Sequence, residues 1–106
     1  MLSKTRLLNP DPAKMGPRID TDRYQAVRAA ILDAVPVSGD GLPFARLADE
    51  VKSRLPGGCL PRAAQPTSGS VSWYATSVKL DLEARGLIHR VAGDGPQRLL
   101  LGRVRA

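Results

Sequence analysis

Between positions 72 and 98 the chain gathers most of the side chains that could engage a partner. They are the hydroxyls of Ser72, Thr76 and Ser77, the cations Lys79, Arg90 and Arg98, and the apolar Trp73 and Leu80. Hydroxyls and cations suit a polyanion. Lys and Arg release counterions when they neutralise phosphates, and Ser or Thr can bond phosphate oxygens. Trp73 and Leu80 suit a different partner, because an exposed Trp is a frequent anchor in buried protein contacts. The same stretch therefore carries two candidate chemistries, a nucleic-acid face and a protein interface.

Catalytic groupings are missing by comparison. His89 is the only histidine, and no cysteine or patterned carboxylate lies near it, so it reads as a solvent-facing strand residue. Cys59 sits in a Gly-Pro loop with Arg62 nearby but without a base, and reads as an ordinary free thiol. No run has metal-ligand spacing, and the Gly-Asp-Gly triplets at 39–41 and 93–95 read as turns rather than phosphate loops. The expectation is a protein that is not an enzyme, with no cofactor and no metal.

At 106 residues the chain has room for one small core. Aromatic residues make up only 4%, so that core must come from Leu, Val, Ile and Ala. Apolar runs fall short of the ~20 residues a membrane span needs. A single cysteine fits a reducing compartment, so the sequence is read as cytoplasmic, with no membrane partner. A net charge of +6 favours an anionic partner, although the cations are spread along the chain rather than massed.

Several elements must position these side chains. Residues 1–19 read as a basic, flexible arm carrying Lys4, Arg6, Lys14 and Arg18, broken by Pro10, Pro12, Gly16 and Pro17. Residues 20–106 form the domain. A first helix starts at Asp20 or Thr21 and runs to Val35, with Tyr24, Val27, Ile31, Ala34 and Val35 as its apolar stripe; Pro36 stops it. A short strand is expected around Leu42–Phe44, then a second helix over Ala45–Leu55. The Pro- and Gly-rich stretch 56–69 is a long loop. A third helix spans Val71–Arg85, with Val71, Ala75, Val78 and Leu82 facing the core and Gly86 as its stop. That stripe leaves Ser72, Trp73, Thr76, Ser77, Lys79, Leu80 and Glu83 pointing outward, with Tyr74 beside the core stripe. Strands over Leu87–Val91 and Gln97–Leu101, joined through Asp94-Gly95, complete the chain as a hairpin.

Three helices, a strand between the first two, and a closing hairpin make a mainly α fold with a small β wing. Through Val78, Leu82, Gly86-Leu87-Ile88 and Arg90 the chain resembles the winged helix-turn-helix superfamily. Trp73-Tyr74, the run Val78 to Ile88, and Pro96-Gln97-Arg98 resemble, more narrowly, small stand-alone bacterial winged-helix proteins of unknown function. The superfamily resemblance implies binding of double-stranded DNA as a regulator-like or accessory protein. Trp73, Thr76, Ser77 and Leu80 would then face a major groove. Ser72 and Lys79 would join them, with Arg90, Arg98, Arg103 and Arg105 of the wing on phosphates. The third helix lacks the Arg, Asn or Gln row that makes bidentate base contacts. The alternative is a dimerisation or protein-interaction module anchored on Trp73 and Leu80.

Overall fold

The computed structural model describes residues 3–63 and 69–102. Helix α1 spans Thr21–Ala34, and its first turn is closed by the Asp20 carboxylate, which accepts the Arg23 amide at 3.2 Å. Tyr24, Val27, Ala30 and Ile31 form its buried stripe. Helix α2 is shorter than the sequence suggests. A 3₁₀ turn over Phe44–Arg46 precedes it, so the α-helix proper covers Leu47–Arg54, burying Leu47 and Val51. Helix α3 spans Val71–Ala84, and the Ser70 hydroxyl accepts the Trp73 amide at 3.1 Å. Gly86 takes φ +76° beyond its end, where a side chain would be strained. Its amide donates to the Glu83 carbonyl and that of Leu87 to the Leu82 carbonyl, the paired bonds of a Schellman stop.

Five short strands accompany the helices: β1 Lys4–Arg6, β2 Arg18–Asp20, β3 Leu42–Pro43, β4 Ile88–Arg90 and β5 Arg98–Leu101. The last three form one antiparallel sheet in the order β3-β5-β4, with Leu42 opposite Leu99 and Arg90 also opposite Leu99. From α1 onward, the order α1-β3-α2-α3-β4-β5 is that of a winged helix, with β4 and β5 as the wing. The three helices pack pairwise around Val27, Ile31, Leu47, Val51, Val78 and Leu82, and Ile88 and Leu99 close the core from the wing. In the predicted loop, Pro56–Gly58 forms a further 3₁₀ turn. Residues 64–68 of that loop, and Arg103 and Arg105, lie outside the described residues.

The N-terminal segment departs from expectation. In place of a flexible arm, β1 and β2 pair as a second hairpin, with Thr5 opposite Ile19 and Arg6 opposite Arg18. Strand alternation explains how so few apolar residues suffice. Ile19 turns into the core while its neighbour Arg18 stays outside, and Leu7, directly after β1, is only 1% exposed. The Thr21 hydroxyl lies 2.8 Å from that of Ser3 and 2.9 Å from that of Thr5, joining the hairpin to the start of α1.

Candidate functional site

Three sides of α3 are already occupied. Ala75, Val78 and Leu82 meet the core, Tyr74 and Asp81 face the α1 side, and Lys79 turns toward the wing. At 100° per residue the remaining Ser72, Trp73, Thr76, Ser77, Leu80, Glu83 and Ala84 share an arc of about 140°, open except at Glu83, which the wing covers. This open strip contains five of the side chains predicted to point outward for DNA contact or interface: Ser72, Trp73, Thr76, Ser77 and Leu80. Ser72 and Trp73 are exposed, and Thr76, Ser77 and Leu80 half-buried.

Lys79 is not among them. Expected on the outer face, it is 2% exposed. Its Nζ donates to Gln97 Oε1 at 2.6 Å, lies 2.8 Å from Glu83 Oε1, and sits 4.8 Å from the centre of the Phe44 ring. The cause is geometric: Lys79 lies on the helix surface beside the core residues Ala75 and Leu82, at the border of the outer face, and the wing folds back over that flank. Burial pushes its pKa below the usual lysine value, with Glu83 opposing the shift. Held this way, the ammonium is not presented on the surface.

The wing arginines also separate. Arg90 Nε lies 3.3 Å from the same Glu83 oxygen, leaning over α3 from the inner face of the wing. Arg98 is opposite Pro43, one residue out of phase with the Leu99–Arg90 pair, so it points to the other face. It makes no ion pair with the described residues. Lys79, Arg90 and Arg98 therefore do not form one cationic surface.

Trp73 is held in place from one side. Its ring meets Tyr74 edge-on, with centroids 5.0 Å apart at 82°. A Cβ on Gly69 would come within 3.3 Å of the Trp73 ring and 2.9 Å of the Tyr74 ring, so only glycine lets the incoming chain lie there. Tyr74 is buried and accepts a hydrogen bond from Arg23 Nη1 at 3.2 Å. The other side of Trp73 remains open, at 43% exposure. Down the strip, Trp73, Ser77, Leu80 and Ala84 follow at four, three and four residues, two large side chains alternating with two small ones.

A buried polar cluster behind this strip was not foreseen. The fully buried Asp81 accepts from the Tyr24 hydroxyl at 2.7 Å, from Arg85 Nε at 2.9 Å and from the Leu8 amide at 2.7 Å. Burial first, then the bond to Asp81, raises the Tyr24 pKa, and Asp81 raises that of Arg85. The i, i+4 spacing of Asp81 and Arg85 was visible in the sequence. Tyr24 and Leu8 lie 57 and 73 residues away, with no sequence signal. The arrangement binds α1, α3 and the N-terminal hairpin together.

A scan against protein-family models matches residues 4–99 to a family of unknown function, DUF6958. The chain belongs to this family. No curated protein and no solved structure matches it. The matched span opens at the first residue of β1 and closes within β5, so the N-terminal hairpin, the three helices and the wing as far as Leu99 fall inside it.

The remaining candidates stay isolated. His89 is half-buried, and its Nδ1 lies 2.7 Å from the Gly102 carbonyl, which can only accept, so that nitrogen carries the proton. Cys59 is exposed, with Sγ 3.4 Å from the Gly57 carbonyl. Among the described residues no group of three His, Cys, Asp or Glu side chains could hold a metal ion, and no helix is long and apolar enough to cross a membrane.

Proposed function

We propose that this winged-helix domain is a non-enzymatic interaction module whose α3 strip contacts a protein partner through Trp73 and Leu80. The observation that carries this reading is the composition of the strip. It presents a braced, half-open tryptophan and a leucine, and its one charged member, Glu83, is tied to Lys79 and Arg90. Interface cores are depleted in charge and anchored by aromatic side chains, whereas a groove-reading helix needs donors and cations. The test is affinity capture from nuclease-treated lysate of the source cell, comparing the natural chain with a Trp73→Ala/Leu80→Ala variant. A partner held by the first and lost by the second supports the reading; identical captured sets contradict it.

A second reading, double-stranded DNA, is favoured by one observation: Arg98 is exposed and has no ion-pair partner among the described residues. On this reading the domain is a small regulator-like or accessory protein of the stand-alone winged-helix kind. The wing's outer face supplies phosphate contacts, and Ser72, Thr76 and Ser77 supply hydroxyls. Anisotropy with a short random duplex at two salt concentrations tests it, with affinity expected to fall in salt and on Arg98→Glu.

A further inference from the structure

The open strip of α3 meets a groove at the C-terminal end of the helix. The strip's last member, Ala84, lines this groove of about 460 Å³ together with Leu7, Leu8, Pro12 and Met15 from the N-terminal hairpin. The bond from the Leu8 amide to Asp81 fixes this part of the chain against α3. Leu8 and Met15 are both large apolar side chains left in solvent, Met15 at 80% exposure. Through Ala84 the helix strip, with Trp73 and Leu80 as its large apolar members, abuts the hairpin groove to form one surface. From Trp73 to Ala84 alone it runs about 16 Å, at 1.5 Å per helical residue.

The hairpin end differs from the α3 strip in charge. Arg6 and Lys14 line the same groove, and neither forms an ion pair with a described residue. The nearest cross-strand neighbour of Arg6 is another cation, Arg18. Like charges directly opposite one another on a hairpin are mutually unfavourable unless an anion lies beside them. The carboxylate of the connecting loop, Asp11, is engaged locally, accepting the Ala13 amide at 2.9 Å.

We infer that the α3 strip and this groove form a single docking surface, and that its occupant is an acidic amphipathic helix of a partner protein. The inference rests on the protein reading of α3 and adds the partner's chemistry. Positions 73, 77, 80 and 84 repeat at the four–three spacing of a helix-packing seam, and Ser77 and Ala84 leave holes beside the Trp73 and Leu80 knobs. Arg6 and Lys14 at the open end select carboxylates on the flank of that helix. A second copy of the chain is a poor occupant, since each carries a net charge of +6 and would bring cations to cations.

Three labelled synthetic helical peptides test this. They share one leucine stripe at heptad spacing and carry Glu, Gln or Lys at the flanking positions. Each is titrated with the natural chain, Trp73→Ala, and Arg6→Glu/Lys14→Glu, all checked for folding by thermal melts. The Glu peptide should bind tightest, by about tenfold over the Lys peptide, with the preference shrinking in salt. The double charge reversal should invert the order, and Trp73→Ala should weaken all three peptides. Binding that needs Trp73 but ignores peptide charge overturns the inference and leaves the protein reading of α3 standing. A Glu preference that ignores Trp73 overturns the continuous surface and counts against the α3 reading as well. No binding by any peptide overturns the inference. So does a dependence on Arg6 and Lys14 seen with phosphatidylglycerol vesicles or duplex DNA instead of the Glu peptide.

Discussion

Lys79 and Glu83 sit one turn apart on α3 and meet at 2.8 Å beneath the wing. Gln97 at the foot of β5 supplies a second acceptor for Lys79, and Arg90 at the end of β4 a second cation for Glu83. One ion pair therefore fastens both strands of the wing to the helix. The same pair removes the only lysine of α3 from the surface a nucleic acid would meet.

Because the pair is buried, its two members respond differently to mutation. Glu83→Ala leaves a buried ammonium with only the neutral Gln97 oxygen and the Phe44 ring beside it and should cost about 3 kcal/mol in urea unfolding. Lys79→Met keeps the volume and leaves Glu83 its contact with Arg90, so it should cost much less. Lys79→Met should also leave any duplex affinity and its salt slope unchanged. A loss of about one unit of that slope would place Lys79 on a phosphate, against the arrangement described.

Alkaline stability offers a second check, with opposite signs at two residues. The Tyr24 pKa is raised in the fold, so the unfolded chain loses this proton first. Its contribution is fully present below the unfolded value of about 10 and is lost as pH rises from there through the higher folded value. The Lys79 pKa is lowered, so near pH 10 the unfolded chain holds the proton longer and stability rises with pH. Urea melts from neutral to alkaline pH should show Tyr24→Phe flattening the alkaline loss and Lys79→Met steepening it. Parallel profiles for all three chains would contradict the assignment.

The N-terminal hairpin should be part of the cooperative unit. Leu7→Ala empties a site that is 1% exposed and should lower stability by about 2–5 kcal/mol. The Leu7 amide, bonded to the Pro17 carbonyl at 2.9 Å, should exchange slowly in deuterium oxide. A flexible arm would give no stability change and fast exchange.

Much of this architecture was legible in the sequence because its signals are local. Asp20 caps the helix it precedes, Gly86 ends α3, and the apolar spacings mark the core faces of α1 and α3. What escaped depends on contacts between distant segments. The hairpin pairs residues 12 to 16 apart around two apolar side chains, too few to register as a pattern. Lys79 was misplaced because helical geometry puts it at the border of the outer face, and only the position of the wing decides which way it turns. Trp73 and Leu80 were found by subtraction, as the apolar residues left over once the core stripe was assigned.

What touches Trp73, the only tryptophan in the chain, separates a protein partner from a nucleic acid. Replacing it with p-benzoylphenylalanine and irradiating cells that produce the variant captures whatever lies against that position. The expected product is a discrete protein adduct that is resistant to nuclease and absent when the same probe replaces Val37, an exposed residue outside the proposed surface. A nuclease-sensitive adduct at position 73, with no protein adduct, would contradict the protein reading of α3.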